Sequence, residues 1–369
     1  MVIVSDRVLR EFAAETLRAV GTDEEEAAWV AECLVLSNLK GVDSHGVQQI
    51  PGYVKDIQEG FLRPGAELRL LREMDAIAFF DGGWGYGYTM ARDAMRMTME
   101  KARKAGIAYA GIRNIHHIGR VGRWAEMALE EDMIGFASQP GGVYVAPWGG
   151  IDRKLPIAPI AVAIPAGSFP PIVIDMSLGP ISGGRTAILA LRDMKVPLGW
   201  YVDDEGEPTD DPKVFHGGGG AQLPLGQAGL GYKGMALSLV IDVLGGPLLG
   251  LGAARVHAFR RRGVFLGAIN VEAFTPIDEF KECMDSVIAD LKSSRLAGGF
   301  EEILMPGEPE WREMERRKRE GIFLDDEIYR GILDAARTLG VDVSKFEGAP
   351  GKADITHPSY TLRHRYRQR

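Results

Sequence analysis

The chain has 369 residues, 46% of them apolar and 25% charged, with a formal net charge of −8. Such a chain can bury a sizeable core in one large domain or two ordinary ones. Its negative balance argues against nucleic acid or an anionic membrane as partner. The start, "MVIVSDRVLREF", lacks the basic-then-apolar plan of a signal peptide, so a cytoplasmic protein is expected. The short basic tail "RHRYRQR" reads as a frayed, solvated end. Cys33 and Cys283 lie far apart in predicted helices, with neither a metal spacing nor a disulfide framework; both are expected in the core.

In chain order, Ser5 and Asp6 open a helix with Val8, Leu9, Phe12 and Leu17 at helical spacing and Gly21 as its stop. Thr22 and Asp23 cap a second, "DEEEAAWVAECLVLSNLK", whose early acids suit the positive end of the helix dipole. Gly41 is a natural left-handed stop, leaving Asp43, Ser44 and His45 of "GVDSHGVQQIPGYV" on a loop. That loop is either a capping turn or a scaffolded site. After "GFLRPGAEL" the pattern changes. "AIAFFDG" predicts a strand, "TMARDAMRMTMEKARKAG" a helix and "IAYAGIRN" another strand. Further strands are expected at "MIGFASQ", "PIAVAIP" and "PIVIDMS", with helices over 120–131 and 181–194. "MALSLVIDVL" is apolar all round and is expected to be buried; Asp242, Gly245, Gly246 and Pro247 interrupt that run, so no membrane span is expected. "VFLGAINVEAF" predicts a strand and "PIDEFKECMDSVIADLKSS" an amphipathic helix. Charged helices follow in "EPEWREMERRKREG" and "DDEIYRGILDAARTLG". The expected organisation is a mixed α/β domain over 76–305, flanked by a helical unit built from 1–75 and 306–369.

Gly229, Gly231 and Gly234 in "GLGYKG" satisfy G-x-G-x-x-G, but no strand precedes them and no acid follows about 20 residues on, as a Rossmann fingerprint requires. A glycine-rich loop leading into a buried helix beside Lys233 could cradle a phosphate. It could equally serve close packing of the helix start. "RNIHHIGRVGR" places His116 and His117 at a strand end, where neighbouring side chains point opposite ways and at most one faces a given cleft. Histidine suits acid–base work near neutrality. "GVDSHG" lacks the G-x-S-x-G elbow of a hydrolase, and no metal site is expected.

Taken together, "GVDSHGV", "NIHHIG", "APWGG", "VIDMS", "VDDEGEPTDDP", "LPLGQAGLGYKGMALSLVIDVLGGPLLG" and "MPGEPEWR", in this order along nearly the whole chain, resemble the malate/L-lactate dehydrogenase family of the non-Rossmann type. Ureidoglycolate dehydrogenase, sulfolactate dehydrogenase, diketogulonate reductase and piperideine-2-carboxylate reductase are among its members. The resemblance implies an α+β, mixed-sheet nicotinamide-binding fold, a homodimer, NAD or NADP as cofactor, and a small carboxylate-bearing substrate. It implies hydride transfer between nicotinamide and a 2-oxo or 2-hydroxy acid. A cyclic imine carboxylate reductase, or a reductase of a less anionic carbonyl, is an alternative, as is a ligand-binding paralogue without activity.

By position, the resemblance makes His117 the proton donor or acceptor, with Ser44 and His45 completing the polar site. Asp175, Met176, Ser177 and Lys233 fall in the cofactor region, with Ser138 a further candidate. Lys40, Gln49 and Tyr53 fall on the substrate side. Four departures stand out. Gln49 replaces an arginine suited to gripping a carboxylate, Lys40 replaces another, and "PIAP" (156–159) and "DMSLG" replace "GTNP" and "DMATS". Arg113, Arg120 or Arg123 could supply a displaced cation or be ordinary surface charge.

Overall fold

Residues 2–217, 219–252, 263–346 and 349–350 are described by the computed structural model. The two ends of the chain meet in a small sheet. β1 (Val2–Val4) runs antiparallel to both β14 (Ile322–Leu324) and β15 (Ala349–Pro350). Around it stand α1 (Asp6–Ala19), α2 (Glu24–Leu39) and α3 (Ile50–Gln58), with α10 (Glu308–Glu320) against α2 and α11 (Asp326–Thr338) against α3. The caps are those the sequence offers. The Ser5 hydroxyl accepts from the Val8 amide at 3.3 Å and the Asp23 carboxylate from the Glu26 amide at 3.0 Å, which satisfies donors that a helix leaves open at its start.

The main sheet has seven strands: β2 (Arg69–Met74), β3 (Ile77–Asp81), β4 (Ile107–Arg113), β13 (Gly263–Asn270), β5 (Met133–Ser138), β8 (Ile160–Ile164) and β9 (Ile172–Met176), in that spatial order. Only β3 and β4 are parallel; the other neighbours are antiparallel. That order is no doubly wound Rossmann sheet. α4 (Gly87–Ala105) lies on one face of β4 and β13. Small side chains allow the approach: Ala91, Ala94 and Ala102 of the helix and Ala108, Ala110 and Ala268 of the sheet are all fully buried or nearly so. α5 (Gly122–Glu126) lies closer still, because a Cβ on Gly135 would come within 2.0 Å of the Ala125 carbonyl oxygen. One continuous apolar core runs from Leu9 and Leu34 through Ala94 and Ile112 to Leu333.

A smaller lobe carries the second sheet, ordered β11 (Pro208–Thr209), β10 (Tyr201–Val202), β12 (Ala221–Gln222), β6 (Val143–Val145) and β7 (Leu155–Pro156). α6 (Gly183–Leu191) and α7 (Val214–Gly217) accompany it, over a separate cluster of Ile181, Leu189, Val196, Tyr201 and Phe215. α8 (Gln227–Gly245) packs on β4, β7 and β13, and α9 (Ile277–Lys292) follows β13.

Several expectations need correction. β1, β2 and β14 were not anticipated; β2 is exposed along its whole length, so it shows no apolar alternation. The helix over 120–131 starts at Gly122 and tightens into a 3₁₀ turn over Met127–Glu131. Cys283 is exposed on α9, whose outer face it shares with Val287. The largest departure is α8, expected to be buried. It leaves a helical stripe of Leu237, Val240 and Val243 about half exposed, because the chain by itself supplies partners for one face only. The basic tail lies outside the described residues.

Candidate active site

A cavity of about 980 Å³ opens between the helical unit and the smaller lobe. Lys40, Ser44, His45, Arg120 and Asp175 line one end, and Arg312, Phe323 and Asp325 the other.

The loop that brings Ser44 and His45 to the wall is a single 3₁₀ turn, Asp43–His45, entered through Gly41 at φ 76°. Its rigidity comes from far away in sequence. Arg317 of α10 is fully buried and donates from Nη1 and Nη2 to the two Asp43 carboxylate oxygens at 2.7 and 3.0 Å. It also donates to the Asn38 carbonyl at 2.6 Å and, from Nε, to Glu313 at 2.5 Å. The Asn38 side chain donates to Asp43 at 2.7 Å and accepts from the Val47 amide at 2.9 Å. Gly46 is required here, since a Cβ would fall 2.2 Å from Asn38 Oδ1. Such two-point, charge-assisted contact fixes orientation as well as distance.

The histidines form the second element. Ser44 Oγ and His45 Nδ1 are 3.0 Å apart, and the His45 ring stacks on His117 with centroids 5.6 Å apart and planes at 23°. Neighbouring imidazoles diverge as expected: His116 Nε2 meets Asp56 at 2.9 Å, while His117 Nδ1 meets the Tyr53 hydroxyl at 2.6 Å. Tyr53 in turn meets the Tyr88 hydroxyl at 3.0 Å. Burial raises the Tyr88 phenol well above its usual value, and the neighbouring Tyr53 adds to this, so Tyr88 stays protonated. Either hydroxyl of the tyrosine pair can act as donor, so the pair can meet Nδ1 of His117 whether or not that nitrogen carries a proton. The motif glycine clears space for this chain, because at Gly119, φ 68°, a Cβ would stand 2.5 Å from the Tyr88 ring.

Buried charges make the third element. Lys40 Nζ donates to Glu126 Oε1 at 2.6 Å, Arg120 Nη2 to Glu126 Oε2 at 2.5 Å, and Arg120 Nη1 to Asp175 at 3.2 Å. The Gly122 amide adds a bond to Asp175 at 3.0 Å. Burial pushes the Glu126 carboxyl up, but Arg120 and Lys40 outweigh it and hold the group down at about 2. Burial lowers the Lys40 ammonium, with Arg120 beside it acting in the same direction. Burial also lowers His45, so that imidazole is neutral at neutral pH.

The structure therefore brings Ser44, His45, Lys40, Asp175, Met176 and Ser177 to one cavity, with His117 stacked on its His45 wall. It places the remaining expected site residues elsewhere. Gln49 turns its amide to the Ser44 carbonyl at 2.7 Å, and Tyr53, 2% exposed, stands behind His117. Ser138 is buried at the end of β5. Lys233 is exposed on α8 outside the cavity lining, its ammonium over the Tyr232 ring.

The glycine-rich loop expected there is largely helix. Gly229, Gly231 and Gly234 lie inside α8, where Cβ atoms on Gly231 and Gly234 would meet Trp148 at 2.8 Å and the Leu225 carbonyl oxygen at 2.3 Å. Those two serve packing. In the altered "PIAP" element, Ala158 holds φ 46°, a left-handed conformation that asparagine tolerates better than alanine. Arg317 and Asn38 escaped sequence reasoning, because Arg317 sits in a run of charges that reads as a solvated helix face. Among the described residues, no three His, Cys, Asp or Glu side chains gather as a metal ion would need.

A mixed sheet, a cleft at its edge and an imidazole held by a tyrosine pair define an oxidoreductase-type site outside the Rossmann class. The model of the family described as malate/L-lactate dehydrogenase matches residues 4–333, and the chain belongs to that family. It is 36% identical to malate dehydrogenase of Pyrococcus abyssi (strain GE5 / Orsay), covering 90% of this chain and 94% of that one. It is 32% identical to L-sulfolactate dehydrogenase of Methanocaldococcus jannaschii, over 91% and 97%. The solved structure of malate dehydrogenase from Pyrococcus horikoshii OT3 superposes with a TM-score of 0.85 at 33% identity, over 92% and 96%. The chain is thus an enzyme of the dehydrogenase type. These relatives do not favour the imine-reductase or inactive-paralogue readings.

Proposed function

We propose that the enzyme interconverts a small 2-oxo acid and its 2-hydroxy acid with a nicotinamide dinucleotide, His117 being the proton donor or acceptor. The observation that carries this is the chain Tyr88–Tyr53–His117, which ends on the imidazole stacked against the cavity wall. The cofactor fits the residues present. The cavity, about 980 Å³, is lined by Ser177, Gly179, Pro180, Ser182 and Arg185. Asp175, Met176 and Ser177 are the residues that would hold the nicotinamide end. When bound, that group supplies or accepts the hydride at the carbonyl carbon.

The protein's part is proton transfer and positioning. In reduction a protonated His117 gives its Nε2 proton to the oxygen that becomes an alcohol and is left neutral; in oxidation the neutral ring, its remaining proton on Nδ1, takes the alcohol proton back on Nε2. Neutral His45 and Ser44 orient the same oxygen. In both charge states Nδ1–H faces the Tyr53 hydroxyl, which accepts from it and holds the ring in place.

His117→Ala is expected to lower turnover on the order of 10²–10⁴-fold, with thermal unfolding and NADH or NADPH binding, read by fluorescence, close to wild type. Unchanged turnover overturns the assignment. If His45→Ala alone abolishes turnover, His45 takes the role instead. The exposed stripe of α8, with Lys233 on it, supports a homodimer in which a second copy covers the apolar face. Among the described residues this helix is also the one long and apolar enough to cross a membrane. Light scattering on the detergent-free protein separates the two: a soluble dimer supports the homodimer, and a detergent requirement contradicts it.

A further inference from the structure

Arg120 is unusual among the charged residues of this chain. It is 4% exposed, yet it lines the cavity beside Ser44 and His45. Gly122 makes room for it, since a Cβ there would stand 2.4 Å from Arg120 Nη1. A guanidinium carries five N–H donors. Two are used, one to Glu126 and one to Asp175, and Nε is buried with no acceptor among the described residues. A buried donor left without an acceptor is destabilising, and a fold retains one where a ligand completes the bond. Charge around it is balanced. Lys40 and Arg120 face Glu126 and Asp175, so this end of the cavity is formally neutral before substrate enters.

We propose that Arg120 holds the substrate carboxylate through its unused N–H donors, and that the balanced cluster around it favours 2-oxo monocarboxylates over dicarboxylates. The inference rests on the 2-oxo acid reading above and names the substrate class for it. Gln49 does not line the cavity, and one of its amide N–H groups is turned to the Ser44 carbonyl. One carboxylate on Arg120 brings a single negative charge into a neutral site. A second would find Lys40 already engaged by Glu126 and Arg120 taken by the first, and a poorly paired buried charge is the costlier arrangement.

The test uses the full-length enzyme with NADH and NADPH, and with pyruvate, 2-oxobutyrate and oxaloacetate as substrates and oxamate as a non-reacting monocarboxylate. Wild type should show higher kcat/KM on the monocarboxylates. Arg120→Lys keeps the charge but loses the planar fork. It should raise monocarboxylate KM and the oxamate inhibition constant on the order of 10–100-fold, with kcat and cofactor binding little changed. Glu126→Gln leaves the cluster one positive charge in excess. It should shift selectivity toward oxaloacetate by roughly tenfold, a gain that a merely structural ion pair would not produce. Higher wild-type kcat/KM on oxaloacetate overturns the class preference. Turnover of a 2-oxo acid with KM and oxamate inhibition unmoved in Arg120→Lys overturns the Arg120 assignment while leaving the proposed function standing. Absence of turnover on every 2-oxo acid, with neither cofactor bound, overturns the proposed function itself.

Discussion

Two short segments look like sites in the sequence, "GVDSHG" and "GLGYKG", and the fold treats them in opposite ways. The first becomes a turn whose side chains line a cavity. The second becomes the start of a helix kinked at Leu230, with Gly231 packed under Trp148 and Gly234 under the Leu225 backbone. What separates them is where their restraint comes from. Asp43 is held by Arg317, 274 residues away, whereas the glycines of α8 answer to close neighbours and act through absence of volume. A polar loop fixed by a distant buried charge is a positioned instrument; small residues in a regular helix are a fit.

The sharpest way to break this contrast is to cut the distant restraint. Arg317→Ala leaves Asp43 and Glu313 without their buried cation, and is expected to cost about 3–5 kcal/mol. Chemical denaturation should show this as a lower midpoint, and a loss near zero would mean the loop holds itself. Acid offers the next largest effect. The Glu126 carboxyl is held at about 2 against a usual 4.5, so its stabilisation is complete above about pH 4.5. It is lost as pH falls through the folded value, a window worth roughly 3 kcal/mol. Unfolding measured from pH 5 to 2 should show that slope in wild type and a flatter one in Glu126→Gln. On the other segment, Gly234→Ala is expected to destabilise by about 1–3 kcal/mol through overpacking. Gly229→Ala, with nothing within 4 Å of the new Cβ, should stabilise by about 0.5–1 kcal/mol, the usual helix preference for alanine. Equal effects at the two glycines would remove the packing account.

Much of the fold was legible. The strands at Ile77–Asp81, Ile107–Arg113, Met133–Ser138 and Ile172–Met176 are short apolar runs, and local pattern suffices for them. β2 was not, because a strand exposed on both sides carries no alternation to read. Of the site, Ser44, His45 and His117 could be singled out from residue type and motif. Arg120 could be raised only as one of three arginines, since nothing local distinguishes a buried guanidinium from a solvated one. Arg317 was invisible for the same reason.

The sequence by itself determined most of the elements, their caps and the glycines that turn the chain, because each depends on neighbours a few residues apart, and the order of its motifs pointed to the family. Only the tertiary structure decided which charges are buried. It put Lys40, Asp175 and the neighbouring Arg120 and Glu126, from three separate segments, into one cluster, and laid Tyr88 and Tyr53 behind His117. Burial turns a common charge into a strong, oriented one, and burial is a property of the packed chain.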